Sequence, residues 1–151
     1  MRGILLSALI LLGGAPAAVA QGATGGAPEL RGVVYKNPWC GCCGSWVRHM
    51  REAGFELVVH DVEDMSPFKR AAGVPEELQS CHTAVVGGYV IEGHVPAADI
   101  RRLLAEAPQA RGLSVPGMVI GSPGMESGGQ REPYQVLLFS DGRAPSVYAA
   151  Y

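Results

Sequence analysis

Hydrophobic and polar positions along the chain change period several times, and each change marks an element. Gly32-Val33-Val34-Tyr35-Lys36 is a short β-branched run closed by Asn37-Pro38, which predicts a strand. From Cys43 onward the spacing becomes helical. Trp46, Val47, Met50 and Ala53 recur on one face, Arg48, Arg51 and Glu52 lie between them, and Gly54 stands at the end. Phe55 to Val62 then reads as a second strand. Strand, helix and strand within about thirty residues make a βαβ unit with a parallel pair.

Ser66 to Ala72 predicts a shorter helix, opened by Ser66-Pro67 as N-cap and first helical residue and closed by Gly73. Pro75 to Gln79 is a connection or a single helical turn. Thr83 to Val86 and Tyr89 to Gly93 are two further strands, and Gly87-Gly88 between them predicts an antiparallel hairpin. The clearest helix runs from Pro96 to Ala107, with Ile100, Leu103, Leu104 and Ala107 along one face. The order β-α-β-α-β-β-α is that of thioredoxin-like α/β folds. Past Pro108 the composition shifts. Gly112 to Gly129 is rich in glycine, holds Pro116 and Pro123, and predicts a loop in which Pro-Gly-Met occurs twice, ending at Met118 and Met125. Tyr134 to Phe139, Asp141-Gly142 and Ser146 to Tyr148 predict a closing hairpin.

The first residues follow a different pattern. Met1-Arg2, the apolar run Ile4 to Leu12 and Ala18-Val19-Ala20 have the cationic start, short apolar segment and Ala-x-Ala end of a secretory signal peptide. The expected division is a signal peptide over 1–20, a flexible glycine-rich leader over 21–31 and one domain over 32–151. A length of 151 residues suits one domain with a real core. Cleavage after Ala20 would remove Arg2 and no acidic residue, so 12 basic against 14 acidic side chains becomes 11 against 14, and the net charge moves from -2 to -3. That balance argues against nucleic acid as a partner. No later segment is long and apolar enough to span a bilayer, so the expected location is the periplasm, with no membrane attachment after cleavage.

Export changes how the cysteines are read. Three of the four lie in Trp39-Cys40-Gly41-Cys42-Cys43, and the fourth is Cys81. An exported chain with four cysteines would ordinarily carry two disulfides. Here Cys42 and Cys43 are neighbours, whose bridge would be strained, and a domain of this size folds without such staples. The cluster falls between a strand end and a helix start, where free N–H groups and the helix dipole favour thiolate. Against the Trp-Cys-Gly-Pro-Cys motif of thioredoxins, Trp39, Cys40, Gly41 and Cys43 have counterparts, and Cys42 replaces the proline. A third thiol there would scramble a Cys40–Cys43 disulfide. Where thioredoxin-like folds carry a cis-proline before the third strand, this chain reads Ser80-Cys81-His82, which brings Cys81 within reach of the other three. Four thiolates suit one tetrahedral zinc or several bridged copper(I) ions. Adjacent cysteines wrap a single ion poorly, and nearby Met and His favour copper. The expectation is a multinuclear copper(I) site at Cys40, Cys42, Cys43 and Cys81. Two alternatives stay open, a thiol–disulfide oxidoreductase with Cys40 as nucleophile and Cys43 as resolving thiol, and a zinc that only staples the fold.

Over nearly the whole mature chain the sequence also resembles the periplasmic copper-resistance proteins called CopG. The resemblance is carried by Cys40-Gly41-Cys42-Cys43, Trp46, Gly54-Phe55, Cys81-His82-Thr83-Ala84, Gly88-Tyr89, Glu92-Gly93-His94-Val95-Pro96, Pro116-Gly117-Met118 and Gly121-Ser122-Pro123-Gly124-Met125-Glu126. It departs at Val119, where a proline is expected. It implies a thioredoxin-like domain holding a cysteine-bridged copper(I) cluster that acts in copper sequestration, redox handling or resistance. Copper ions are then the first partner, and other exported copper-handling or redox proteins the next. His82 and His94 are candidate ligands or outer partners of ligands. Met118 and Met125 are candidate thioether ligands or an apolar cover. Trp39 is expected to shield the cluster, Trp46 to pack the first helix, Met50 to lie in the core, and His49 and His60 to be structural. Asp61, Glu63 and Asp64 read as a solvated loop.

Overall fold

The computed structural model describes residues 30–151, so the expected signal peptide and all but the last two residues of the expected leader lie outside the described residues. The elements in order are β1 (Arg31–Lys36), α1 (Gly41–Glu52), β2 (Glu56–Asp61), α2 (Ser66–Ala71), a 3-10 turn (Glu76–Leu78), β3 (His82–Val86), β4 (Tyr89–Glu92), α3 (Ala97–Glu106), β5 (Gly112–Ser114), β6 (Gln135–Ser140) and β7 (Arg143–Ala150). Arg31, expected in the leader, already belongs to β1.

All strands share one mixed sheet in the order β2-β1-β3-β4-β5-β6-β7, which leaves β2 and β7 as its edges. β1 runs parallel to β2 and antiparallel to β3, β3 and β4 form the Gly-Gly hairpin, and β4 runs parallel to β5. The period-two alternation sends neighbouring side chains to opposite faces. In β4, Ile91 enters the main core with Trp46, Val47 and Met50 of α1 and Ile100 and Leu103 of α3. Val90 enters a smaller cluster with Val74, Leu78 and Phe139 on the other face. The Trp46, Val47, Met50 stripe is therefore a core stripe, as its spacing predicts.

Two expectations are corrected. Gly112 to Ser114 is a buried strand, where the glycine content predicted loop. A Cβ at Gly112 would collide with the Val90 carbonyl, so the glycine reflects a close approach of two strands. The final hairpin, β6 and β7, consequently extends the same sheet through β5. Helix α2 starts one residue earlier than expected, with Met65 as N-cap. The Asp64 carboxylate accepts the Ser66 N–H at 2.9 Å, so this acidic residue caps a turn that the sequence suggested was only solvated.

Candidate metal centre

The first half of the site is the corner between β1 and α1. The Asn37 side-chain oxygen accepts the Trp39 N–H and its carbonyl accepts the Cys40 N–H, both at 3.0 Å. This turn delivers Cys40 to the N-cap of α1, where its sulfur accepts the Cys43 N–H at 3.3 Å in the role a Ser or Asp usually plays. The first turn of α1 carries no acidic side chain, so the positive end of its dipole faces the sulfurs. Cys40 and Cys43 are joined as a disulfide, while Cys42 and Cys81 are free. Trp39 is 77% exposed and shields nothing, because the Asn37 turn points it outward.

The second half comes from the start of β3 and the end of β4. The Sγ atoms of Cys40, Cys42, Cys43 and Cys81 all lie within 4.8 Å of one another. The fold thus delivers Cys81 to the other three sulfurs, as its position before β3 predicts. Cys81 lies 3.0 Å from Nε2 of His94 and 3.3 Å from Nδ1 of His82. Nδ1 of His94 is 2.8 Å from the Pro123 carbonyl, which can only accept, so Nδ1 carries the proton and Nε2 offers its lone pair to Cys81. Burial lowers the basicity of both histidines, so both rings are neutral near pH 7. Burial, and then the neighbouring Cys42, pushes the Cys81 thiol up to about 12, so it stays protonated and can donate a hydrogen bond to His94 Nε2. His82 Nδ1 faces the same sulfur from the other side. Nε2 of His82 is left buried with no hydrogen-bond partner.

A polar cluster that the sequence did not suggest lies behind Cys81. Lys69 of α2 and Glu92 of β4 are both buried and form an ion pair. Glu92 also accepts the Ser80 N–H on Oε1 and the Thr83 hydroxyl on Oε2, each at 2.6 Å, and Lys69 reaches Thr83 Oγ1 at 3.2 Å. Burial pushes the Glu92 carboxyl above its usual range, and Lys69 pulls it back. The available sequence signal was a lone carboxylate ending the apolar run Tyr89-Val90-Ile91.

The glycine-rich loop closes over the corner of α1. Gly124 has φ +86°, and a Cβ there would stand 2.6 Å from the Trp46 nitrogen and 2.9 Å from the Cys42 oxygen. Besides the Pro123–His94 bond, the loop is tied down by Glu126, whose carboxylate lies 2.8 Å from Nε2 of His49. His49 is therefore structural, as its helical position suggests, but its partner is in the loop. Exposed His60 stacks on Tyr35, with centroids 5.4 Å apart. Met125 is half-buried beside Gly124, whereas Met118 is 60% exposed, next to the Gly117 carbonyl that Ser80 Oγ bonds. Val119, in place of the expected proline, packs against the main core.

The donor chemistry fits a soft or borderline metal. Four sulfurs converge, one imidazole nitrogen is aimed at a sulfur, and another is buried without a partner. A thiolate ligand set also requires the Cys40–Cys43 bridge to open.

Comparison with known proteins gives the same direction. A family model described as a protein of unknown function, DUF411, matches residues 78–125, which hold Cys81, His82, His94, Met118 and Met125. No curated protein matches. A solved structure titled copper resistance protein CopG, form 1, is 44% identical with a TM-score of 0.77, covering 82% of this chain and 98% of that one. Form 2 of the same protein is 44% identical with a TM-score of 0.76, covering 80% and 97%. At this identity and coverage, the chain belongs to the CopG copper-resistance family.

Proposed function

We propose that the protein binds copper(I) at Cys40, Cys42, Cys43 and Cys81, bridging more than one ion, and thereby sequesters copper or handles its oxidation state. The observation that carries this reading is the convergence of four sulfurs within 4.8 Å around a Cys81 that also faces two neutral histidines. His94 and His82 serve as ligands or fix the sulfur they contact, and Met125 and Met118 supply further soft donors at the loop. The frame is thioredoxin-like, a reading supported by β2-β1-β3-β4 order with a parallel first pair and an antiparallel second pair. The N-terminal pattern supports export to the periplasm, where other copper-handling or redox proteins would exchange copper or electrons with it. Loading requires an external dithiol reductant, which gives two electrons and two protons to the Cys40–Cys43 bridge and is itself oxidised to a disulfide; the two thiols formed lose their protons when metal binds.

The experiment is metal analysis of protein reduced and purified without oxygen. The expected result is more than one copper(I) per chain, with thiolate-to-copper absorption in the ultraviolet. A single stoichiometric zinc with no copper would sink the proposal in favour of a structural metal.

The Cys40–Cys43 disulfide itself favours a second reading, a thiol–disulfide oxidoreductase. Cys42→Ser separates the two. Multi-copper binding should fall in that variant, whereas reductase activity carried by Cys40 and Cys43 would survive.

A further inference from the structure

Among the described residues, the buried Lys69–Glu92 pair is a polar feature that the metal site does not use. Replacing such a pair by apolar groups is often neutral or stabilising, so stability alone does not account for two buried charges here. Their bonds are more informative. The two carboxylate oxygens of Glu92 divide between the two residues that bracket Cys81-His82, Oε1 taking the Ser80 N–H and Oε2 the Thr83 hydroxyl. Cys81 itself precedes the first paired residue of β3, so the sheet ladder starts just beyond it. Behind Ser80 there is no room to yield, because a Cβ on Gly93 would meet the Ser80 side chain and stand 2.6 Å from the Val115 oxygen. Every group facing Glu92 is a donor, which an acceptor-only carboxylate matches and an amide would not. Lys69 lies on α2, on the other side of the sheet from the Trp46 core, and touches both Glu92 and Thr83.

We infer that Glu92, anchored by Lys69, is a positioning residue that holds Cys81 and His82 in the geometry the metal requires. The inference rests on the copper reading above for its purpose, and on the hydrogen bonds alone for its geometry. In wild-type protein the fixed flanks keep Cys81 against His94 before any metal arrives, so little ordering cost falls on binding. Cutting either flank releases the sulfur while Cys40, Cys42 and Cys43, held by α1, stay in place.

The test uses the reduced full chain and the variants Glu92→Gln, Lys69→Met and Thr83→Val, with circular dichroism to establish folding. Copper(I) affinity is measured anaerobically by competition with a bicinchoninate chelator. Alkylation of metal-free protein by iodoacetamide is followed at each cysteine by mass spectrometry. Each variant should lose about tenfold in copper(I) affinity, the factor of one charge-assisted hydrogen bond, and gain a similar factor in the Cys81 alkylation rate, with Cys42 unchanged. Folded Glu92→Gln and Thr83→Val proteins with wild-type affinity and a wild-type Cys81 rate would overturn the inference. Should the charge variants not fold, Thr83→Val, which deletes one hydroxyl, decides. Should wild-type protein take up no copper, the copper reading fails, and the alkylation rates still decide the positioning.

Discussion

The hydrogen bond that His94 Nδ1–H donates to the Pro123 carbonyl, across 2.8 Å, determines what the other ring nitrogen can do. Nε2 is left as an acceptor pointed at Cys81, ready to take a thiol proton or a metal. His94→Leu removes both functions with little change in volume. Copper(I) affinity should drop by about 10- to 100-fold in chelator competition, as when an outer partner of a ligand is lost. The stranded Pro123 carbonyl should cost a further 1–3 kcal/mol or so of stability in thermal or denaturant unfolding. At this scale the thiols were legible in the sequence. The missing proline before Thr83 marked Cys81 as a member of the cluster, because a known frame says what stands at that place. Lys69 was not legible. In Ser66-Pro67-Phe68-Lys69-Arg70-Ala71 two cations sit side by side, and only the packing of α2 on the sheet makes one buried and the other exposed.

Among the elements, the loop between β5 and β6 shows where pattern reading stops. Its glycines announced irregular backbone but not that the backbone lies on α1. The contact is made by main chain, and main-chain contacts leave no hydrophobic period to read. Gly124→Ala tests it. The left-handed φ and the approach to Trp46 and Cys42 leave no place for a methyl group, so the loss should exceed about 1 kcal/mol in unfolding free energy. Because Pro123 moves with Gly124, copper(I) affinity should fall in the same variant. An unchanged melting curve and an unchanged affinity would mean that the loop is not seated as described. Strand β5 was hidden for a related reason. It is three residues long, and its glycine reflects a neighbour's carbonyl that only the folded sheet brings near. Helices α1 and α3 were legible because each is long enough for its period to repeat.

For the molecule as a whole, the chain end is tied back to α3. Tyr151 donates to Asp99 at 2.7 Å and Tyr148 to Glu106 at 2.8 Å, and Tyr134 and Tyr151 exchange both backbone bonds at 3.1 and 2.9 Å. Burial, then donation to a carboxylate, pushes both Tyr148 and Tyr151 up to about 12 from an ordinary 10.0. A phenol whose folded value is raised contributes stability that is whole below the unfolded value and is lost as pH climbs through the folded one. Unfolding free energy should therefore lose this contribution between about pH 10 and 12, and a Tyr148→Phe/Tyr151→Phe double variant should show a shallower alkaline decline over that window. The two sheet edges have a different consequence. On β7, Pro145 offers no N–H, and shifts in register with β6 bend the strand away from a flat partner. On β2, the exposed acidic residues Glu56 and Asp61 are paired with Arg31 and Lys36 of the neighbouring strand, which sets charge along that margin. A second copy seeking to add a strand would meet a proline beside a register shift at one border and an ion pair at each end of the other. A seven-stranded sheet can in this way stay a single molecule's sheet, and crowding of the chain need not lead to edge-to-edge polymerisation.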